Sequence, residues 1–229
     1  MTEFNGFSPQ LLAFLDELAV NNNRLWFADN KPRYEERVLS PALDFVEHMV
    51  TKIDKLSPYF EAIPKRSGGS LMRVYRDTRF GKDKTPYKTN LGIQFRHRRG
   101  KDIHAPGYYL NVQRSEVFLG VGCWRPDSAA LAKIRQRIDE KPEAWQAILN
   151  GRPFKRQFAW GGDTLLRPPR GYSADHPLVS SLKRKDFIVI QSLDDSAIEA
   201  EDFAKQVLKA FRSAKPLMQF LCEALEVGF

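Results

Sequence analysis

The segment RVYRDTRFGKDKTPYK, residues 73–88, sets six cations, Arg73, Arg76, Arg79, Lys82, Lys84 and Lys88, against two acids, Asp77 and Asp83. Guanidinium groups hold phosphate or carboxylate through paired planar hydrogen bonds, and lysines add mobile point charge. Crowding six like charges costs Coulomb energy unless an anion or nearby acids offset it. Asp77 lies between Arg76 and Arg79 and reads as orienting them rather than as a base. Tyr75, Phe80 and Tyr87 interleave aromatic surface, a mixture that also suits nucleobases stacking while their phosphates are neutralised. The candidate ligand-binding set is Arg73, Tyr75, Arg76, Asp77, Arg79, Lys82, Lys84, Tyr87 and Lys88. The sequence assigns no catalytic residue, cofactor or metal ligand set.

The basicity is local. Residues 65–101 hold twelve Lys and Arg and two acids, a balance of +10. The rest, with twenty-four cations and twenty-six acids, stands at −2. A concentrated cationic region points to phosphates, polyanions or acidic partners. The 229 residues suffice for a sizeable core, and 42% hydrophobic content is ordinary for a globular chain. No apolar run approaches the length of a membrane span, and the N-terminus has no basic, then apolar, secretory pattern. Cys123 and Cys222 are far apart and sit among apolar or small residues, so they read as buried thiols. A cytoplasmic protein without membrane attachment is expected.

These groups need positioning elements. Ser8 and Pro9 open an apolar helical stripe, Leu11, Leu12, Phe14, Leu15 and Leu18, which Asn21, Asn22 and Asn23 end. A second helix follows, and Pro41 starts a third that Pro58 stops. Period-two alternation then marks strands in LMRVYR, LGIQFRHR and GYYLNVQ, with the more continuous EVFLGVGCW closing a hairpin. Asp127 caps a returning helix, and PEAWQAIL extends the helical region. Residues 151–172 read as an ordered excursion over the sheet, followed by a short helix at DHPLVSSLK. DFIVIQSL is a strand, and helices fill the remainder. This order predicts a single α+β domain over residues 1–229, with a mostly antiparallel sheet of about five strands and helices packed on one face.

The stretches NNNRLWFADNKPRYEERV, RVYRDTRFGKDKTPYKTN and PGYYLNV, in that order, with the later GDTLLRPPRGYSADHP, resemble the conserved protein family designated domain of unknown function 2461. The resemblance covers nearly the whole chain. Leu25 departs from it, standing where the pattern carries an acid before WF. The resemblance implies no particular activity, substrate or cofactor.

Other chemistry is thinly represented. His97 and His104 flank a basic run that disfavours a metal ion. His176 follows Asp175 and precedes Pro177, a position that is more often structural than basic. Trp26 and Phe27 read as aromatics of a helix junction packed inward rather than as a stacking wall. Neither a nucleophile elbow nor a glycine-rich phosphate loop of the common types is present. Arg167 and Arg170 in RPPRGY join the cationic site only if the excursion folds over it. Three readings stay open: a protein binding a phosphorylated metabolite or nucleotide, with or without turnover; a nucleic-acid-binding module; and a charge network whose members pair with one another and with acids such as Glu35 and Glu36. Under either binding reading, loss of Arg79 is expected to abolish binding.

Overall fold

The computed structural model describes residues 4–79, 82–100 and 105–229; Phe80 and His104, named above, lie outside them. Helix α1 (Gln10–Val20) follows Pro9, with the Ser8 hydroxyl accepting the Gln10 N–H at 3.3 Å, and buries the five predicted apolar residues. Asn23 caps α2 (Arg24–Asp29), its Oδ1 accepting the Trp26 N–H at 3.0 Å. Helix α3 (Lys31–Tyr34) passes through a π-helical turn, Glu35–Leu39, straight into α4 (Ser40–Leu56).

Six strands form one sheet: β1 (Phe60–Glu61), β2 (Leu91–His97), β3 (Gly107–Val112), β4 (Val117–Cys123), β5 (Ala159–Trp160) and β6 (Phe187–Leu193). Their order is β1-β2-β3-β4-β6-β5, and every neighbouring pair is antiparallel. Four of the five expected strands form, and two two-residue strands, β1 and the β5 of the excursion, were not expected. LMRVYR does not form a full strand. Leu71 bridges Ile93 on the edge of β2, and the chain then bends away to pair with itself, Tyr75 opposite Tyr87.

The remaining helices are α5 (Ser128–Glu140), α6 (Pro142–Asn150), α7 (Arg152–Gln157), α8 (Val179–Leu182), α9 (Phe203–Ser213) and α10 (Lys215–Ala224). Asp127 caps α5 as expected, accepting the Ala130 N–H at 2.8 Å. One sheet face is apolar in alternation: Leu91, Ile93, Phe95, Tyr108, Leu110, Val112, Leu119, Val121 and Val189 are buried. Phe211 of α9 packs there on Tyr108 and Phe95, ring centroids 4.6 and 6.1 Å away. Each fully buried side chain of this size contributes roughly 1.5–3 kcal/mol.

The opposite face is built from cross-strand rungs. Arg96, Gly107, Gly122 and Ile188 form one; Gln94, Tyr109, Gly120 and Ile190 the next; Gly92, Asn111, Phe118 and Ser192 the third. Glycine at Gly107, Gly120 and Gly122 leaves bare backbone at the middle of this face.

Candidate functional site

The cationic segment is a two-stranded ribbon standing off the edge of β2. The Arg76 N–H donates to Pro86 O at 2.9 Å and the Lys88 N–H to Val74 O at 2.7 Å. Its base is clasped by the asparagine run: Asn22 Nδ2 donates to Tyr87 O at 3.0 Å, and Asn22 Oδ1 accepts the Tyr87 N–H at 3.1 Å. Tyr87 is buried and stacks on Phe27 with ring centroids 4.0 Å apart, while Tyr75 stays exposed. Trp26 is half-buried beside Phe14, so the NNNRLWF aromatics pack inward.

Several cations are partnered within the ribbon. Arg76 donates to Asp83 and to the Thr85 hydroxyl. Arg79 grips Asp77 in bidentate fashion, Nε to Oδ1 at 3.0 Å and Nη2 to Oδ2 at 2.7 Å. Lys84 donates to the Thr78 carbonyl at 2.7 Å. The Thr85 N–H, then the Arg76 guanidinium and the Thr85 hydroxyl, hold the Asp83 carboxyl down at about 2. Arg79, first through its side chain and then its N–H, lowers Asp77. Arg66, outside the ribbon, reaches Glu35.

Arg73, Lys82 and Lys88 stand apart: among the described residues none of the three forms an ion pair. Lys82 is exposed near the tip. Lys88 is half-buried, and burial, with the charge of Arg73 adding to it, pulls its ammonium below the ordinary lysine value. The charge of Arg73 also acts on Asp77, but Lys88 is partly desolvated, repelled by Arg73 and without an ion-pair partner among the described residues, so an anion beside it lowers the energy.

Beside this segment lies a groove that sequence reasoning did not find. Met72, immediately before Arg73, donates its N–H to Gly92 O at 2.9 Å and lines a concavity of about 780 Å³ over the open sheet face. The floor includes Gly107, Gly120 and Gly122; Tyr109, Phe118, Trp124, Ile188 and Ile190 supply the apolar walls. Gln94, Glu116 and Ser192 add polar groups. Asn90, two residues after Lys88, connects the cations to the groove. Its Nδ2 donates to Asn111 Oδ1 at 2.7 Å and approaches the Tyr109 hydroxyl at 3.4 Å. Burial raises the Tyr109 phenol above its ordinary value, so at neutral pH it is a hydrogen-bonding hydroxyl.

The far wall is fixed by Asp186, a buried carboxylate. Its Oδ1 accepts the Arg125 N–H at 2.8 Å and its Oδ2 the Asp163 N–H at 2.9 Å. It thereby holds Arg125 at φ 48° and the Gly162 turn at φ 74°, and the Trp124 indole lines the groove between them. Arg167 and Arg170 are exposed in the excursion beyond β5, at the sheet edge opposite the ribbon, so they do not join the cationic pair. His97 is buried, with Nε2 2.9 Å from Gly228 O and Nδ1 accepting the Arg99 N–H. His176 bridges Asp139 and the Leu178 N–H and fastens the excursion to α5.

The conserved hypothetical protein family DUF2461 matches residues 10–220, and the chain belongs to that family. No curated protein and no solved structure matches it. Among the described residues, no helix is long and apolar enough to cross a membrane.

Proposed function

We propose that this protein binds a small phosphate-bearing molecule, with the anionic group at Arg73 and Lys88 and the rest of the ligand in the groove of the open sheet face. The observation that supports the reading is a concavity of ligand size lined by Met72, the residue next to Arg73, whose charge in turn acts on the half-buried Lys88. The anion-binding set expected from the sequence thus divides. Arg76, Asp77, Arg79 and Lys84 shape the ribbon, Tyr75 and Tyr87 anchor its base, Lys82 contributes long-range field, and Arg73 and Lys88 meet the ligand. A phosphorylated metabolite or nucleotide fits this division better than a polynucleotide, because internal partners consume the cations that a phosphate track requires.

The test is calorimetric titration with inorganic phosphate and ribose 5-phosphate at fixed ionic strength. Arg73→Ala and Lys88→Ala are each expected to weaken binding by about tenfold or more, the value of a charge-assisted contact. Arg79→Ala is expected to retain it. Failure of wild-type protein to bind either compound, or undiminished binding by the Arg73→Ala, Lys88→Ala double variant, refutes the site. The charge network internal to the ribbon is then the whole role of these residues.

A further inference from the structure

Resting on that reading, we infer that the groove takes a planar heteroaromatic ring, so that the ligand class is a mononucleotide, with Trp124 as the stacking residue and Gln94 as the reader of the ring edge.

Three features of the groove carry this. First, its floor is flat. Gly107 and Gly122 are direct cross-strand partners and Gly120 lies in the neighbouring rung, so a ring can rest on backbone with no side chain beneath it. Conformation does not demand all of these glycines. Gly122 needs its φ of 128°, and a Cβ there would fall 2.0 Å from Phe187 O. At Gly107 and Gly120 a Cβ would meet nothing closer than 3.5 and 3.6 Å. Glycine at those two positions costs backbone entropy and strand packing without any steric requirement from the fold, and the space it leaves opens into the groove.

Second, Trp124 is 57% exposed and yet firmly placed. Positive φ at Gly122, two residues before it, and at Arg125, just after it, shapes the turn, and buried Asp186 pins Arg125. A non-glycine residue at φ 48° is a small conformational cost, and it persists here because Asp186 holds it. A large indole held out beside a bare floor is the arrangement that stacks a π-face.

Third, Gln94 is oriented. Its Oε1 accepts the Arg96 Nε–H at 2.9 Å, which leaves the amide NH2 to face the floor, 3.6 Å from where a Gly107 Cβ would be. It presents donors to an acceptor on the edge of a ring lying over Gly107. The cations at Arg73 and Lys88 sit toward the other end of the β2 margin and complete a ligand with a phosphate at one end and a ring at the other.

The experiment compares AMP, GMP, CMP and UMP with ribose 5-phosphate by calorimetry, in wild type and in Trp124→Ala and Gln94→Leu. At least one mononucleotide is expected to bind about tenfold or more tightly than ribose 5-phosphate. Trp124→Ala should abolish that advantage by weakening the nucleotide about tenfold or more beyond any loss for ribose 5-phosphate. Gln94→Leu should reorder the four nucleotides relative to one another and to the sugar phosphate. If ribose 5-phosphate binds as tightly as every nucleotide, or if Trp124→Ala weakens all ligands equally, the ring-stacking inference falls and the anion site stands. If nothing binds, both fall. Thermal melts of the two variants establish that each is folded, and Trp124→Phe, which keeps a π-face, should retain most of the nucleotide advantage.

Discussion

Asp83 and Asp77 show how a cluster of positive charge is made tolerable. Asp83 faces the Thr85 N–H and hydroxyl and Arg76, and Asp77 faces the side chain and N–H of Arg79 with the charge of Arg73 added, so each is held below its ordinary value. For Asp83 the largest cause is the Thr85 N–H, ahead of Arg76. Arg76→Ala is therefore expected to raise the Asp83 value only part of the way back, as measured by carboxyl NMR titration. A full return to the ordinary aspartate range would show that the backbone contact depends on the guanidinium. The sign for stability follows: a carboxyl lowered on folding supports the ribbon above about pH 4 and ceases to as pH falls through about 2. Lys88 acts in the opposite sense. Its ammonium is disfavoured by burial and by Arg73, so in the free protein its charge opposes folding below the ordinary lysine range. The composition of residues 73–88 made the cluster legible, but not which cation holds which acid. Arg76 finds Asp83 seven residues away across the ribbon, and that pairing depends on Tyr75 lying opposite Tyr87.

At the level of elements, alternation in β2 and β3 and the continuous run in β4 identified the strands and their buried residues, and the Asp127 cap placed α5 correctly. The groove was not legible by the same means. Its floor glycines are divided between two strands and become neighbours only when register is set, since a rung is a property of pairing and not of any one segment. Trp124 read as the end of an apolar strand because nothing local announces that Asp186, sixty-one residues after Arg125, holds the turn beside it. Two glycines of β4 should separate floor from fold. Gly120→Leu has room for its Cβ and is expected to leave the melting temperature within a few degrees while blocking ligand binding. Gly122→Ala forces a Cβ against Phe187 O and is expected to lower stability by more than about 3 kcal/mol or prevent folding. Equal thermal damage from both would mean that the floor is a packing feature.

For the whole molecule, the +10 of residues 65–101 is partly spent inside the ribbon, and this sets the expected response to salt. A single phosphate held by two cations should bind with a shallow log–log dependence on salt, a slope of magnitude about 1–2. A polynucleotide track over the basic region would give one several times steeper. Fluorescence titrations between 50 and 300 mM salt distinguish them, and a steep slope with single-stranded nucleic acid alone would favour the polymer over the small ligand.

The clasp between Asn22 and Tyr87 has a consequence beyond anchoring. Because Tyr75 and Tyr87 are paired without exchanging hydrogen bonds, the N–H and C=O of Tyr87 point away from the ribbon, along its outer margin. Those are the two groups a foreign strand would use to extend the sheet. The Asn22 carboxamide, with one donor and one acceptor in the spacing of a peptide unit, occupies both. A single side chain from the end of α1 thus stands in for a neighbouring strand, and it closes to self-association a β-edge rich in tyrosine.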